Sequence, residues 1–240
     1  MAVPMFYHTG QFRENEELVL SEDTSRHMVQ VLRMAPGASV ELTNGTGSLA
    51  RTVITKADKK RCAVSVEAIR TDKEPASRLT LAVSFTKNAS RNEWLLEKAT
   101  EHGVRRIVPV LSKRSEREKF RYDRLHSILI SALIQSRQTY LPELSEPLSF
   151  EDMIARSTGT SRKLLAHCID GIPRRPLPEA LEAGSDAVIM IGPEGDFTPE
   201  EVALAMDAGF QGIHLGSNRL RTETAALAVC AYFNLINYAD

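Results

Sequence analysis

Two arginines and a threonine stand close together in "HLGSNRLRTETAALAV", residues 214–229. A strand is expected to end at Leu215-Gly216 and a helix to begin near Thr222. Arg219 and Arg221 then fall just before a helix N-terminus. Cations are disfavoured there, because the helix macrodipole is positive at that end. A broken local rule is a mark of a functional place, and a helix N-terminus joined by arginines makes a strong anion site. The competing explanation ties one arginine to Glu223 or Glu194 to hold the loop. Both can hold, one arginine each.

A second chemical stretch lies about 20 residues earlier, in "VIMIGPEGDFTPEEV", residues 188–202. An apolar run ends in Gly192-Pro193-Glu194-Gly195. Thr198 is a good N-cap, Pro199 suits the first helical position and Glu201 completes a capping box. The strand should end near Ile191 and the helix should start near Pro199. The GPEG loop then sits at the carboxyl end of a strand, where open α/β sheets bind ligands.

Other chemistries lack their residues. Cys62, Cys168 and Cys230 are far apart, with neither a disulfide framework nor a zinc spacing. His167 and Cys168 are neighbours in a strand and should point to opposite faces, which argues against a shared metal. His27 and His167 fit core or hydrogen-bonded histidines, and no metal site is expected. "NGTGSLA", residues 44–50, contains GxGxxA, but the β-branched "RTVITK" follows. A hairpin turn fits better than a dinucleotide fingerprint, which must open a helix. There is no Walker sequence.

These stretches need elements to position them. The 240 residues allow one large domain or two modest ones, and the formal charge of −1 confines any nucleic-acid site to a local patch. Residues 105–124 carry eight Lys or Arg against three Asp or Glu, a local balance of 8 − 3 = +5. That is a solvated face or a phosphate-contacting surface, and Arg13, Arg26, Arg33 and Arg51 would extend it. No basic-then-apolar leader or membrane-length apolar run stands out, so a cytoplasmic protein with no membrane contact is expected.

A polar boundary, "RTDKEPASR" at 70–78, separates two patterns. Before it, "ASVELTN", "RTVITK" and "RCAVSVEAI" read as strands of a small barrel or sandwich, with a short helix in "SRHMVQVLRM". After it, strands "LTLAVSFT", "RIVPVLS", "KLLAHCI", "DAVIMIG" and "QGIHLGS" alternate with helices. The helices are "RNEWLLEKATEHG", "YDRLHSILISALIQSRQ", "PEEVALAMDAG" and "TETAALAVCAYFNLINYA". That order predicts an α/β fold with a mostly parallel sheet covered on both faces. The last helix is apolar on nearly every side, which suggests burial all round and a subunit interface.

Taken together, GPEGDFTPEE and LGSNRLRTETAA closely resemble the RsmE family of the SPOUT superfamily. "HMVQVLRMAPGASVELTNGTG", "EWLLEKATEHGVRRIVPVLSKRS" and "QSRQTYLPEL" extend the resemblance over most of the chain. Two departures stand out. Many members carry Gly-Arg after the Gln-Ser, where this chain has Arg137-Gln138, and Asp196 replaces a more familiar glycine. The resemblance implies a PUA-like β-barrel over residues 1–72 that grips RNA. It implies a SPOUT α/β domain with a C-terminal trefoil knot over 73–240, working as a homodimer.

It also implies an S-adenosylmethionine-dependent enzyme, releasing S-adenosylhomocysteine, that methylates N3 of a decoding-centre uridine in 16S rRNA of the small ribosomal subunit. The cofactor pocket would comprise His167, Ile191, Gly192, Pro193, Gly195, Leu215, Gly216, Leu220, Arg221 and Thr222. Uridine N3 must lose its proton, and a neighbouring cation favours the resulting anion. Arg221 is the candidate, Thr222 its hydrogen-bonding partner, and Glu194 either the base or a structural carboxylate. Arg13, Arg26, Arg33, Lys87, Arg114 and Arg117 are the expected RNA contacts. Open alternatives are a 2′-O-ribose methyltransferase of the same superfamily, a non-catalytic RNA-binding or assembly factor, and a phosphate-handling enzyme.

Overall fold

The computed structural model describes residues 3–115 and 119–238. The chain divides into two units, one of Met1–Glu74 with Leu133–Leu141, the other of Pro75–Ala132 with Pro142–Asp240.

The first unit holds strands β1 (Met5–Tyr7) and β2 (Glu17–Val19), helix α1 (Glu22–Arg26) with a π-helical turn over His27–Val31, then β3 (Ser39–Thr43), β4 (Ser48–Lys56) and β5 (Ala63–Thr71). These form one five-stranded sheet in the order β1-β3-β4-β5-β2, not a two-sheet sandwich. The β1–β3 pair is parallel and the others are antiparallel. Alternate residues of β4 and β5 turn inward, so Ala50, Ile54, Val64 and Val66 join Met28, Val40 and Leu42 in one apolar core.

"NGTG" is the turn between β3 and β4, as the hairpin reading requires. Its glycines have a structural reason. Leu141 N–H donates to Gly45 O at 2.8 Å, and a Cβ on Gly45 would lie 2.9 Å from Leu141 Cβ. A Cβ on Gly47, at φ +96°, would stand 2.4 Å from the Tyr140 hydroxyl. The returning segment Leu133–Leu141 is held there by Tyr140, whose hydroxyl donates to Asp72 O at 2.9 Å, and by an Arg137–Glu41 ion pair.

The second unit runs β6 (Leu79–Val83), α2 (Ala89–Glu101), β7 (Arg106–Leu111), α3 (Tyr122–Gln135), β8 (Glu143–Leu144), β9 (Leu148–Ser149) and α4 (Phe150–Arg156). It continues with β10 (Arg162–Ala166), β11 (Arg175–Pro176), α5 (Leu177–Ala180), β12 (Ala187–Ile191), α6 (Pro199–Asp207), β13 (Gln211–His214) and α7 (Thr222–Asn237). Its sheet is parallel throughout, ordered β11-β13-β10-β12-β6-β7-β8, with β9 beside β7. Central β12 is buried at all five positions, as a parallel strand with both faces covered must be. No helix among the described residues is long and apolar enough to cross a membrane.

The last helix departs from the expectation of burial on every side. Ala226, Val229, Cys230 and Phe233 are buried along one face of α7, while Leu235 and Tyr238 are each 73% exposed.

Candidate functional site

Three neighbouring parallel strands bring the two loops together. β10 lies between β13 and β12, and Ala166 is level with both Ile191 and Ile213. These three side chains line one end of a cavity of about 510 Å³, and the loops leaving the strands form its sides. A cavity of that size suits a cofactor-sized ligand.

Of the residues expected at the pocket, His167, Ile191, Gly192, Pro193, Glu194, Leu215, Gly216, Leu220, Arg221 and Thr222 all line this cavity. Gly195 is not on its wall; its carbonyl is turned to Arg114. Ala166, Ile213, Arg174 and Asp196 line it too and were missed. Ala166 ends β10 as Ile191 ends β12, and Ile213, one residue before the end of β13, is level with Ala166.

The GPEG loop is fastened at several points. The Thr222 hydroxyl donates to Gly192 O at 2.9 Å, joining the start of α7 to the loop after β12. Its proton is therefore committed, and toward a substrate its oxygen can only accept. Arg114 Nη1 donates to Gly195 O at 2.7 Å and to Phe197 O at 3.3 Å. Arg114, expected as a phosphate contact, here braces this loop. Glu201 forms the foreseen capping box with Thr198, and its Oε1 accepts Lys113 N–H at 2.7 Å. A Cβ on Gly192 would crowd the Phe197 ring at 3.2 Å, so that ring would have to shift.

Asp196 explains its own departure from glycine. Its backbone is left-handed, at φ +61°. Its carboxylate accepts Phe197 N–H at 2.8 Å and Cys168 N–H at 2.7 Å, so it links the loop after β12 to the loop after β10. Asparagine and aspartate tolerate this conformation because a short polar side chain can bond locally. Arg137, the other departure, is also left-handed, at φ +56°.

Arg221 is the N-cap of α7, is exposed, and makes no capping bond. Neither Arg221 nor Arg219 has an ion pair among the described residues. The expected tie to Glu223 is absent, since that buried carboxylate faces Arg91 at 3.5 Å. Glu194 is exposed at the cavity rim. The cavity edge therefore presents a guanidinium at the positive end of a helix.

His167 is buried, with Nδ1 accepting Ile169 N–H at 3.3 Å, so its proton sits on Nε2. That Nε2 is buried without a hydrogen-bond partner among the described residues. Burial first, then the Arg174 cation, push its pKa below the ordinary range, against a smaller upward pull from Asp196. The ring is neutral at pH 7. Cys168, beside it, is exposed.

The expected RNA contacts are dispersed. Arg13, Arg26 and Arg33 lie in the first unit, and Lys87 and Arg114 in the second. Arg26 is partly neutralised by Glu22 at 2.8 Å. Arg33 follows the π-helical turn in a left-handed conformation, at φ +53°. Arg117 lies outside the described residues.

Residues 72–234 match the family described as RNA methyltransferase domain, and residues 20–67 match the RNA methyltransferase PUA domain. The chain is similar to Ribosomal RNA small subunit methyltransferase E of Rickettsia conorii, 28% identical over 96% of this chain and 94% of that one. The namesake from Mycobacterium bovis is 30% identical, over 87% of this chain and 82% of that one. Among solved structures, Ribosomal RNA small subunit methyltransferase E from Neisseria gonorrhoeae bound to S-adenosyl methionine superimposes with a TM-score of 0.88, at 29% identity and 98% coverage of both chains.

Proposed function

Because the chain belongs to the RsmE family of RNA methyltransferases, we propose that it methylates N3 of a decoding-centre uridine in 16S rRNA. It is an S-adenosylmethionine-dependent methyltransferase of small-subunit rRNA. The observation that carries the finer reading is the joining of both loops around one cavity, with Arg221 at its rim.

The residues present fit the cofactor. The cavity has an apolar end of Ala166, Ile191 and Ile213, backbone-rich walls, and a buried imidazole N–H still lacking an acceptor. Ile191, Gly192, Pro193, Leu215, Gly216, Leu220 and Thr222 would hold it, together with His167. When bound, S-adenosylmethionine supplies an electrophilic methyl group. The protein's task is then positioning and charge. Arg221 stabilises the negative charge that spreads over O2 and O4 once N3 loses its proton. Glu194, exposed and without an ion pair among the described residues, is the carboxylate at hand to accept that proton. N3 takes part in base pairing, so the uridine must be presented unpaired or flipped.

In this reading residues 1–72 form the RNA-gripping domain, with Arg13, Arg26 and Arg33. Residues 73–240 form the knotted methyltransferase domain, with Lys87, Arg114 and Arg117 also on the RNA. The chain works as a cytoplasmic homodimer on RNA within the small subunit. Leu235 in α7 and Tyr238 just past its end, both exposed, support a subunit contact.

The test is incubation with labelled S-adenosylmethionine and small subunits lacking their modifications, followed by digestion and identification of the nucleoside. N3-methyluridine is expected. A ribose-methylated product would move the target, and no incorporation would overturn the reading.

A further inference from the structure

The second unit contains another cavity, of about 420 Å³, that neither loop enters. It opens where β6 and β7 end, between α2 and the beginning of α3. Its lining combines aromatic rings with cations: Phe85 and Phe120 face it, with Lys119, Arg121 and Arg124. The Phe85 and Phe120 centroids are 6.5 Å apart. The row continues through Tyr122, 6.3 Å from Phe120, to His126, 5.5 Å further and stacked at 17°.

The cations are not equivalent. Arg124 is committed to Glu93 through two bonds, of 2.5 and 3.0 Å, and with Arg121 nearby it holds that carboxyl below the usual carboxylate range. Arg121 and Lys119 have no ion pair among the described residues. A cavity with aromatic faces and uncommitted positive charge fits a nucleotide. The base stacks, and the cations take the phosphate.

Its place connects it to the first cavity. Ser115 lines the second cavity, while its neighbour Arg114 donates to Gly195 O in the loop of the first. One short segment therefore lines the second cavity and braces a loop of the first. We propose that the second cavity seats an unpaired nucleotide of the RNA substrate, a neighbour of the methylated one, with its base against Phe120 and its phosphate on Arg121. This rests on the RNA-methyltransferase reading, and it assigns a substrate contact to residues that reading did not use.

The test uses the full chain, a short single-stranded uridine-rich oligoribonucleotide, and the variants Phe120→Ala, Phe120→Tyr and Arg121→Glu. Oligonucleotide affinity should fall about tenfold in Phe120→Ala and in Arg121→Glu and be retained in Phe120→Tyr, which keeps the ring. S-adenosylmethionine affinity and thermal unfolding should be unchanged in all three. A 4-thiouridine oligonucleotide should crosslink to the peptide containing Phe120 and Tyr122, which keeps the test valid if Phe120→Ala folds poorly. Unchanged oligonucleotide affinity in Arg121→Glu, or crosslinks confined to other peptides, would overturn the proposal. So would uridine monophosphate binding as tightly as the oligonucleotide, which would mark a free-nucleotide site. Failure of the methyltransferase reading looks different: the unsubstituted protein would then transfer no methyl group to rRNA, whatever the oligonucleotide measurements gave.

Discussion

The hydroxyl of Thr222 and the carbonyl of Gly192 lie 2.9 Å apart, and that bond joins the first turn of α7 to the loop after β12. Both residues line the same cavity, so the bond fixes its two walls relative to each other. Thr222→Val keeps the shape and removes the donor, leaving a buried carbonyl unpaired. S-adenosylmethionine binding should weaken about tenfold, in line with about 1–3 kcal/mol for a buried group left unsatisfied. Thr222→Ser should stay close to the unsubstituted protein, and calorimetric titration compares the three. Equal affinity in all of them would show that the walls hold without this bond.

Arg221→Ala should leave the fold intact, because the side chain is exposed and makes no capping bond. Methyl transfer should fall by about 10²- to 10³-fold, the range seen when one stabilising donor is removed from a reacting centre. Single-turnover rates with excess enzyme are the measurement. Near-normal turnover would exclude Arg221 from the chemistry.

Asp196 separates conformation from bonding. Asp196→Ala keeps a Cβ at φ +61° and loses both carboxylate bonds, whereas Asp196→Gly loses the bonds but relieves the backbone. The alanine variant should be the less stable by about 1–2 kcal/mol, the left-handed penalty for a side chain. Denaturant unfolding of the pair reads the difference. An alanine variant as stable as the glycine one would remove backbone conformation as the reason for the family's glycine.

Gly47 and Gly37 offer a matched comparison in the first unit. Both are left-handed, at φ +96° and +88°, but a Cβ on Gly37 meets nothing within 4 Å, while one on Gly47 would overlap Tyr140. Gly37→Ala should lose about 1–2 kcal/mol through strain alone. Gly47→Ala should lose about 2–4 kcal/mol, with displacement of Tyr140 added. Equal losses in equilibrium unfolding would mean that Tyr140 moves aside freely.

His167 makes stability pH-dependent with a definite sign. Its folded-state pKa lies below the ordinary 6.5, so between the two values the unfolded chain binds more protons. Its contribution is fully present above about pH 6.5 and is lost as pH falls toward the folded-state value. Midpoints measured from pH 7.5 down to 5.5 should therefore decline, less steeply in His167→Gln. His8, also lowered by burial, contributes in the same direction. An identical slope in His167→Gln would assign the dependence elsewhere.

How much of this was legible depended on how local the cause was. The start of α6 was readable from Thr198, Pro199 and Glu201, because a capping box is written within four residues, and the structure begins α6 at Pro199. The NGTG turn was readable for the same reason. The return of Leu133–Leu141 to the first unit was not, because it depends on partners as distant in sequence as Asp72 and Gly47. Helix α4 went unread, as did the second cavity, whose rings meet only once α2 and α3 are packed. The π-helical turn at His27–Val31 has nearly the apolar spacing of an α-helix, so "SRHMVQVLRM" read simply as a helix. At the site, the two loops were plain in the residue types, but Arg114 as a brace and the levelling of Ile213 with Ile191 across Ala166 required the tertiary structure.

The Asp196 carboxylate reaches the backbone N–H of position 168, not its side chain. The link is therefore indifferent to what residue 168 is, and only proline, which lacks that N–H, would break it. Any residue but proline at position 168 keeps the bond, whereas loss of the Asp196 carboxylate removes it. Two loops of the cavity are thus coupled through a main-chain donor that nearly every residue type supplies.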